Sequence, residues 1–110
     1  MSATVKLVGI GPGMASLVTL EAVDAIREAD SIRHPEGCEA VLLSLARPGA
    51  DVQVMRAKEE VLELAATGRR VAVLFPGDPY AFSNGAQMAE MLFRSGIEFE
   101  VVPGLLLETA

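Results

Sequence analysis

Val71–Phe75 reads Val-Ala-Val-Leu-Phe, with Arg69-Arg70 before it and Pro76-Gly77-Asp78-Pro79 after it. A run of β-formers with no polar residue leaves no face for water, so it fits a strand in a sheet covered on both sides. Such sheets are mainly parallel and hold ligands beyond the carboxyl ends of their strands. The turn residues at 76–79 fall at that end. Two prolines fix the backbone around a Gly that tolerates positive φ and an Asp that accepts hydrogen bonds, which makes a stiff loop able to bring main chain close to a ligand. The same composition also serves an ordinary tight turn.

The 110 residues suit one domain with a substantial core. Apolar residues make up 51% and charged residues 22%, with no low-complexity run, so the chain is expected to fold. No apolar stretch reaches the roughly 18 residues of a membrane span, and Met1-Ser2-Ala3-Thr4 leads into a strand pattern without a secretory signature. The expected setting is cytoplasmic, with no membrane partner. Cys38 and His34 are the only residues of their kinds, which gives neither an internal disulfide nor a closed metal site. A net charge of −6 argues against nucleic acid, whose affinity rests on cations neutralising phosphates. A small-molecule ligand fits better.

Strand and helix patterns alternate along the chain. Strands are expected at Thr4–Ile10, Asp30–Arg33 (short and weak), Asp51–Met55, Arg70–Phe75 and Ile97–Val102. Helices are expected at Leu17–Ala29, with Leu17, Leu20, Val23 and Ile26 sharing an inward face and Ser16 or Thr19 as cap, then at Glu39 to about Ala46, Lys58–Ala66 and Asn84–Ser95. Gly68 and Gly96 are placed to end the last two. The expected fold class is α/β, a five-stranded, mainly parallel sheet flanked by helices. The apolar Leu105-Leu106-Leu107 near the end has nothing evident to pack against, which points to a domain of a longer protein.

Three segments follow strands and gather at one edge of a parallel sheet: Gly9–Gly13, Pro76–Ser83 and Val102–Gly104. The first invites a dinucleotide-binding reading. Its spacing departs from G-x-G-x-x-G, because the third Gly follows the second by two residues and Pro12 stiffens the turn.

Taken together, the motifs resemble the N-terminal domain of the tetrapyrrole methylases, the S-adenosylmethionine-dependent uroporphyrinogen and precorrin methyltransferases. The matching features are Val8-Gly9-Ile10-Gly11-Pro12-Gly13 with Leu17-x-Thr19-Leu20-x-Ala22, then Glu28-Ala29-Asp30, Gly68-Arg69-Arg70-Val71, Gly77-Asp78-Pro79 with Phe82 and Gly85, and Gly96-Ile97-x-Phe99 to Gly104. Their order and spacing cover essentially the whole chain. The resemblance implies that residues 1–110 form one half of a two-domain enzyme, that S-adenosylmethionine binds between the halves, and that the enzyme is a homodimer acting on a tetrapyrrole. It places Pro12, Pro76, Gly77, Asp78, Ala81, Leu106 and Leu107 against the methyl donor, with Gly11 and Gly13 in the loop facing the tetrapyrrole. It assigns no catalytic residue.

There are departures from the family pattern. Met14 stands where many members carry Asp after Gly-Pro-Gly, and His34-Pro35 stands where the uroporphyrinogen enzymes have Tyr-Asp. Pro76 replaces a common Gly. The titratable residues expected near the edge are Asp30, His34, Asp78 and Glu108, with His34 expected to face solvent in a surface turn and Asp78 to bind rather than catalyse. Two other classes stay open: a methylase of a protein or RNA substrate, and a non-catalytic ligand-binding or interaction module of the same shape.

Overall fold

The computed structural model describes residues 4–11, 18–76 and 83–104. Nine elements alternate along it: β1 (Val5–Gly9), α1 (Leu20–Glu28), β2 (Ser31–His34), α2 (Ala40–Leu43), β3 (Asp51–Val54), α3 (Glu59–Ala66), β4 (Val71–Phe75), α4 (Ser83–Arg94) and β5 (Phe99–Val102). The strands form one sheet in the order β3-β2-β4-β1-β5, and every pairing is parallel. The expected α/β class and five-stranded sheet are therefore what the chain adopts.

Strand β4 is central and buried at all five positions, as its uninterrupted apolar sequence requires. Its side chains alternate between two cores. Ala72 and Leu74 join Val8, Ile10, Ile32 and Val102 beneath α1 and α2. Val71, Val73 and Phe75 join Val5 and Leu7 beneath α3 and α4, which contribute Val61, Met88, Ala89 and Leu92. Helices α1 and α2 thus cover one face of the sheet, and α3 and α4 the other.

Helix α1 keeps only part of the expected face: Ile26 is buried and Val23 half-buried, but Leu20 is not. Leu20 is 84% exposed, and the stripe against the sheet is Ala22, Ala25 and Ile26, continued by Ala29 just past the helix. Three alanines let the helix lie close to the strands, so small residues rather than leucines mark the buried side. Thr19 is the N-cap, its hydroxyl accepting from the Ala22 amide at 3.1 Å. Leu17 and the other candidate cap, Ser16, lie outside the described residues. Gly68 and Gly96 adopt φ of +80° and +72° just beyond α3 and α4, as their placement predicted.

Strand β2 is firmer than its sequence indicates, since all four residues are buried although three are polar. Arg33, 5% exposed, is held by four acceptors: the Ile32 carbonyl (3.1 Å), the Asp51 carbonyl (3.3 Å), the Asp51 carboxylate (3.0 Å) and the Glu60 carboxylate (3.3 Å). A buried guanidinium is tolerated where its donors are paired in this way. The hydroxyl of Ser31 is buried and makes no hydrogen bond.

Candidate functional site

The site is built by strand register. Gly9 of β1 lies beside Phe75 of β4, and Val8 beside Val102 of β5, so Gly11, Pro76 and Pro103-Gly104 emerge along one carboxyl edge. A hydrogen bond from the Ile10 amide to the Phe75 carbonyl, 2.9 Å, extends the ladder past the end of β1. The chain leaving β1 leads to α1 on one face of the sheet, whereas the chain leaving β4 leads to α4 on the other. Adjacent strands whose connections part in this way leave a crevice outside their carboxyl ends, the usual ligand position in open parallel sheets.

Gly11 has φ +60°, a left-handed backbone that residues with a Cβ rarely adopt, so a Gly is needed there for the turn. Pro76 is exposed directly after buried Phe75. Gly11 and Pro76 thus flank the crevice, on adjacent strands. The other candidates, Pro12, Gly13, Gly77, Asp78, Ala81, Leu106 and Leu107, lie outside the described residues, as does Glu108. Next to the crevice, Ile10 and Phe75 are buried in the two cores, which anchors both exits, and glycine at position 11 leaves the main chain without a Cβ.

Two titratable expectations change. Asp30 sits at the amino edge, the far end of the sheet: its carboxylate accepts from the Arg70 amide (2.8 Å) and from the Arg47 guanidinium, bracing the entries to β2 and β4. It has no place near the crevice. His34 is at the carboxyl edge, but it is 8% exposed rather than solvent-facing. The Pro35-Glu36-Gly37 turn is real, with Gly37 at φ +78°, yet it begins only after His34 has completed β2. The His34 Nδ1 lies 2.9 Å from the Pro35 carbonyl. A carbonyl only accepts, so Nδ1 is the protonated donor and Nε2 carries the lone pair in the neutral ring.

One arrangement at this edge has no counterpart in the expectations above. Glu60 Oε1 accepts from the amides of Arg56 (2.7 Å) and Ala57 (2.8 Å), while Oε2 accepts from Arg33 Nε. These bonds, the Ala57 amide first, hold the Glu60 carboxyl below the usual range. The available signal was a Glu three residues after Ala57, half of a capping box without its Ser or Thr. Among the described residues no cluster of three or more His, Cys, Asp or Glu could hold a metal ion, and no helix is long and apolar enough to cross a membrane.

A doubly wound α/β domain with its loops gathered at a strand-end crevice defines a ligand-binding class, and comparison with known proteins narrows it. The model of the tetrapyrrole (corrin/porphyrin) methylases matches residues 4–107, and the chain belongs to that family. It is 37% identical to a uroporphyrinogen-III C-methyltransferase from Sinorhizobium, over 93% of this chain and 41% of that protein. It is 35% identical to the siroheme synthase of Mannheimia succiniciproducens, over 93% of this chain and 24% of that protein. Among solved structures, uroporphyrin-III C-methyltransferase from Thermus thermophilus superposes with a TM-score of 0.82 at 38% identity, over 96% of this chain and 49% of that one. A further structure of the Thermus enzyme, complexed with S-adenosyl homocysteine, gives 0.76 at 33% identity, over 93% of this chain and 48% of that one. The chain therefore spans less than half the length of these relatives.

Proposed function

We propose that this chain is the N-terminal domain of an S-adenosylmethionine-dependent methyltransferase acting on a tetrapyrrole of the uroporphyrinogen or precorrin class, within sirohaem- or cobalamin-type biosynthesis. The observation that carries this reading is the β1–β4 carboxyl edge, with Gly11 and Pro76 emerging side by side from adjacent strands in a chain of this family. On this reading the donor lies against Pro12, Pro76, Gly77, Asp78 and Ala81, with Leu106 and Leu107 beside it, and the Gly11–Gly13 segment faces the macrocycle.

S-adenosylmethionine supplies an activated methyl group on a sulfonium. An electron-rich pyrrole carbon forms the new C–C bond as the S–CH3 bond breaks, the sulfur keeps the electron pair, and neutral S-adenosylhomocysteine leaves. The methylated macrocycle then loses a proton to restore a neutral ring. An in-line displacement of this kind depends chiefly on holding both reactants in line and away from water. The parallel ladder fixes the strand ends, Gly11 allows close approach, and Pro76 stiffens the β4 exit. His34 places a ring at the same edge, one strand to the other side of β4.

A second domain closes the cleft in this reading, the assembled enzyme is a cytoplasmic homodimer, and neither nucleic acid nor a membrane is a partner. Residues 1–110 alone then fold without turnover, because one wall can neither exclude water nor align two reactants. The test is methyl transfer from methyl-labelled S-adenosylmethionine to uroporphyrinogen by the complete polypeptide carrying this domain. Labelled tetrapyrrole supports the reading. Failure to bind S-adenosylhomocysteine at all overturns it.

A further inference from the structure

Charge gives the reading a residue for substrate recognition. A domain of net charge −6 repels a polycarboxylated tetrapyrrole unless a cation meets the arriving carboxylates, and a cation of this domain at the carboxyl edge is placed to do so. All nine Lys and Arg lie among the described residues. Lys6, Arg33, Arg47, Arg70 and Arg94 are engaged with carboxylates of the domain. Arg27 is in the last turn of α1, and Arg69 lies between α3 and β4, both at the amino edge. Lys58 lines the groove between α3 and α4 beside Glu59 and Glu90. Arg56 is exposed at the carboxyl edge, two residues beyond β3, and forms no ion pair with a carboxylate among the described residues.

Its backbone is fixed from both sides. The preceding Met55 amide donates to the His34 carbonyl (2.9 Å), and the amides of Arg56 and Ala57 donate to Glu60. Glu60 is itself tied to buried Arg33, so its negative charge is committed and leaves the Arg56 guanidinium available. Strand β3 stands three inter-strand spacings from β1, whose exit faces the macrocycle on this reading, about 14 Å. A macrocycle lying along the edge from the β1 exit spans that distance with its peripheral arms.

We propose that Arg56 is a specificity-determining residue of the tetrapyrrole site, its guanidinium forking onto a peripheral carboxylate of the macrocycle at the β3 end of the edge. The proposal rests on the methyltransferase reading above. Its test uses the complete polypeptide carrying this domain, titrated with the fluorescent polycarboxylate uroporphyrin III at several salt concentrations, with S-adenosylhomocysteine as a separate ligand. Arg56→Ala is expected to weaken porphyrin binding about tenfold and to flatten its salt dependence, with Arg56→Lys recovering to within about threefold of the parent. S-adenosylhomocysteine affinity and Tm are expected to stay at the parental values. Porphyrin binding by Arg56→Ala equal to the parent's overturns the assignment and leaves the methyltransferase reading standing. A parallel loss of S-adenosylhomocysteine affinity overturns it in favour of a structural role. Parental protein that binds S-adenosylhomocysteine but no porphyrin overturns the tetrapyrrole substrate and Arg56's role together.

Discussion

The Ile10 amide donates to the Phe75 carbonyl at 2.9 Å, which ties the residue after β1 to the last residue of β4. Both residues are buried, so neither exit can shift without the other. A ligand bridging the two exits would meet a preformed wall. On the proposed reading, Asp78→Ala in the complete polypeptide carrying this domain is expected to weaken S-adenosylhomocysteine by about 1–3 kcal/mol with unchanged Tm, the range for a lost ligand-facing polar contact. Calorimetric titration reads the first quantity and thermal unfolding the second. A fall in Tm with affinity retained would instead make Asp78 a loop-closing residue.

Helix α1 gives a paired stability test. Ile26 is fully buried between helix and sheet, and Ile26→Ala is expected to cost about 2–5 kcal/mol. Leu20→Ala on the same helix removes an exposed side chain and is expected to change stability by less than about 0.5 kcal/mol. Urea unfolding of both variants checks the pair, and equal losses would mean that the helix buries a different face.

Acid sensitivity follows from three carboxylates. Asp30, bonded first by the Arg70 amide, Asp51, bonded by Gln53 and Arg33, and Glu60, bonded by the Ala57 and Arg56 amides, all lie below their ordinary pKa values. The unfolded chain therefore binds protons that the folded state refuses. The stability these groups contribute is complete above the unfolded range, about pH 4, and is lost as pH falls through the lower folded values. Urea midpoints measured from pH 7 down to 3 are expected to fall steeply at the acid end. Asp30→Asn is expected to flatten that fall, and parallel curves for the two proteins would contradict it.

Gly68 ends α3 at φ +80°, and a Cβ there would meet nothing within 4 Å. The cost of Gly68→Ala is accordingly one of backbone conformation alone, about 1–2 kcal/mol. A Tm unchanged by the substitution would show that the α3 terminus relaxes into another conformation.

All nine elements were legible in order, because the β4 run, the Gly stops and the alternation of periods are local signals. What failed depended on partners distant in sequence. Strand β2 reads as weak from Ser31, Arg33 and His34, since nothing in a linear pattern reveals that Asp51 and Glu60 will meet Arg33. On α1, Ile26 was placed correctly and Leu20 was not, because Leu20 outweighs Ala22 and Ala25 on any hydropathy count, although alanines permit the closest packing on a sheet. Asp30 was placed near the site although it opens the expected Asp30–Arg33 strand, and the residue that opens a parallel strand lies at the amino edge, away from the exits. The gathering of Gly11 with Pro76 and Pro103 was legible, since parallel strands put their exits on one side.

The central claim is that the methyl donor occupies the carboxyl edge between β1 and β4. Amide chemical-shift mapping of the isotopically labelled complete enzyme, titrated with S-adenosylhomocysteine, tests it most directly. The account predicts the largest shifts at Ile10, Gly11, Phe75, Gly77 and Asp78, with Asp30, Ser31 and Arg70 at the amino edge unmoved. Largest shifts at the amino edge, or saturation of binding with Ile10 to Gly11 and Phe75 to Asp78 unperturbed, would contradict it.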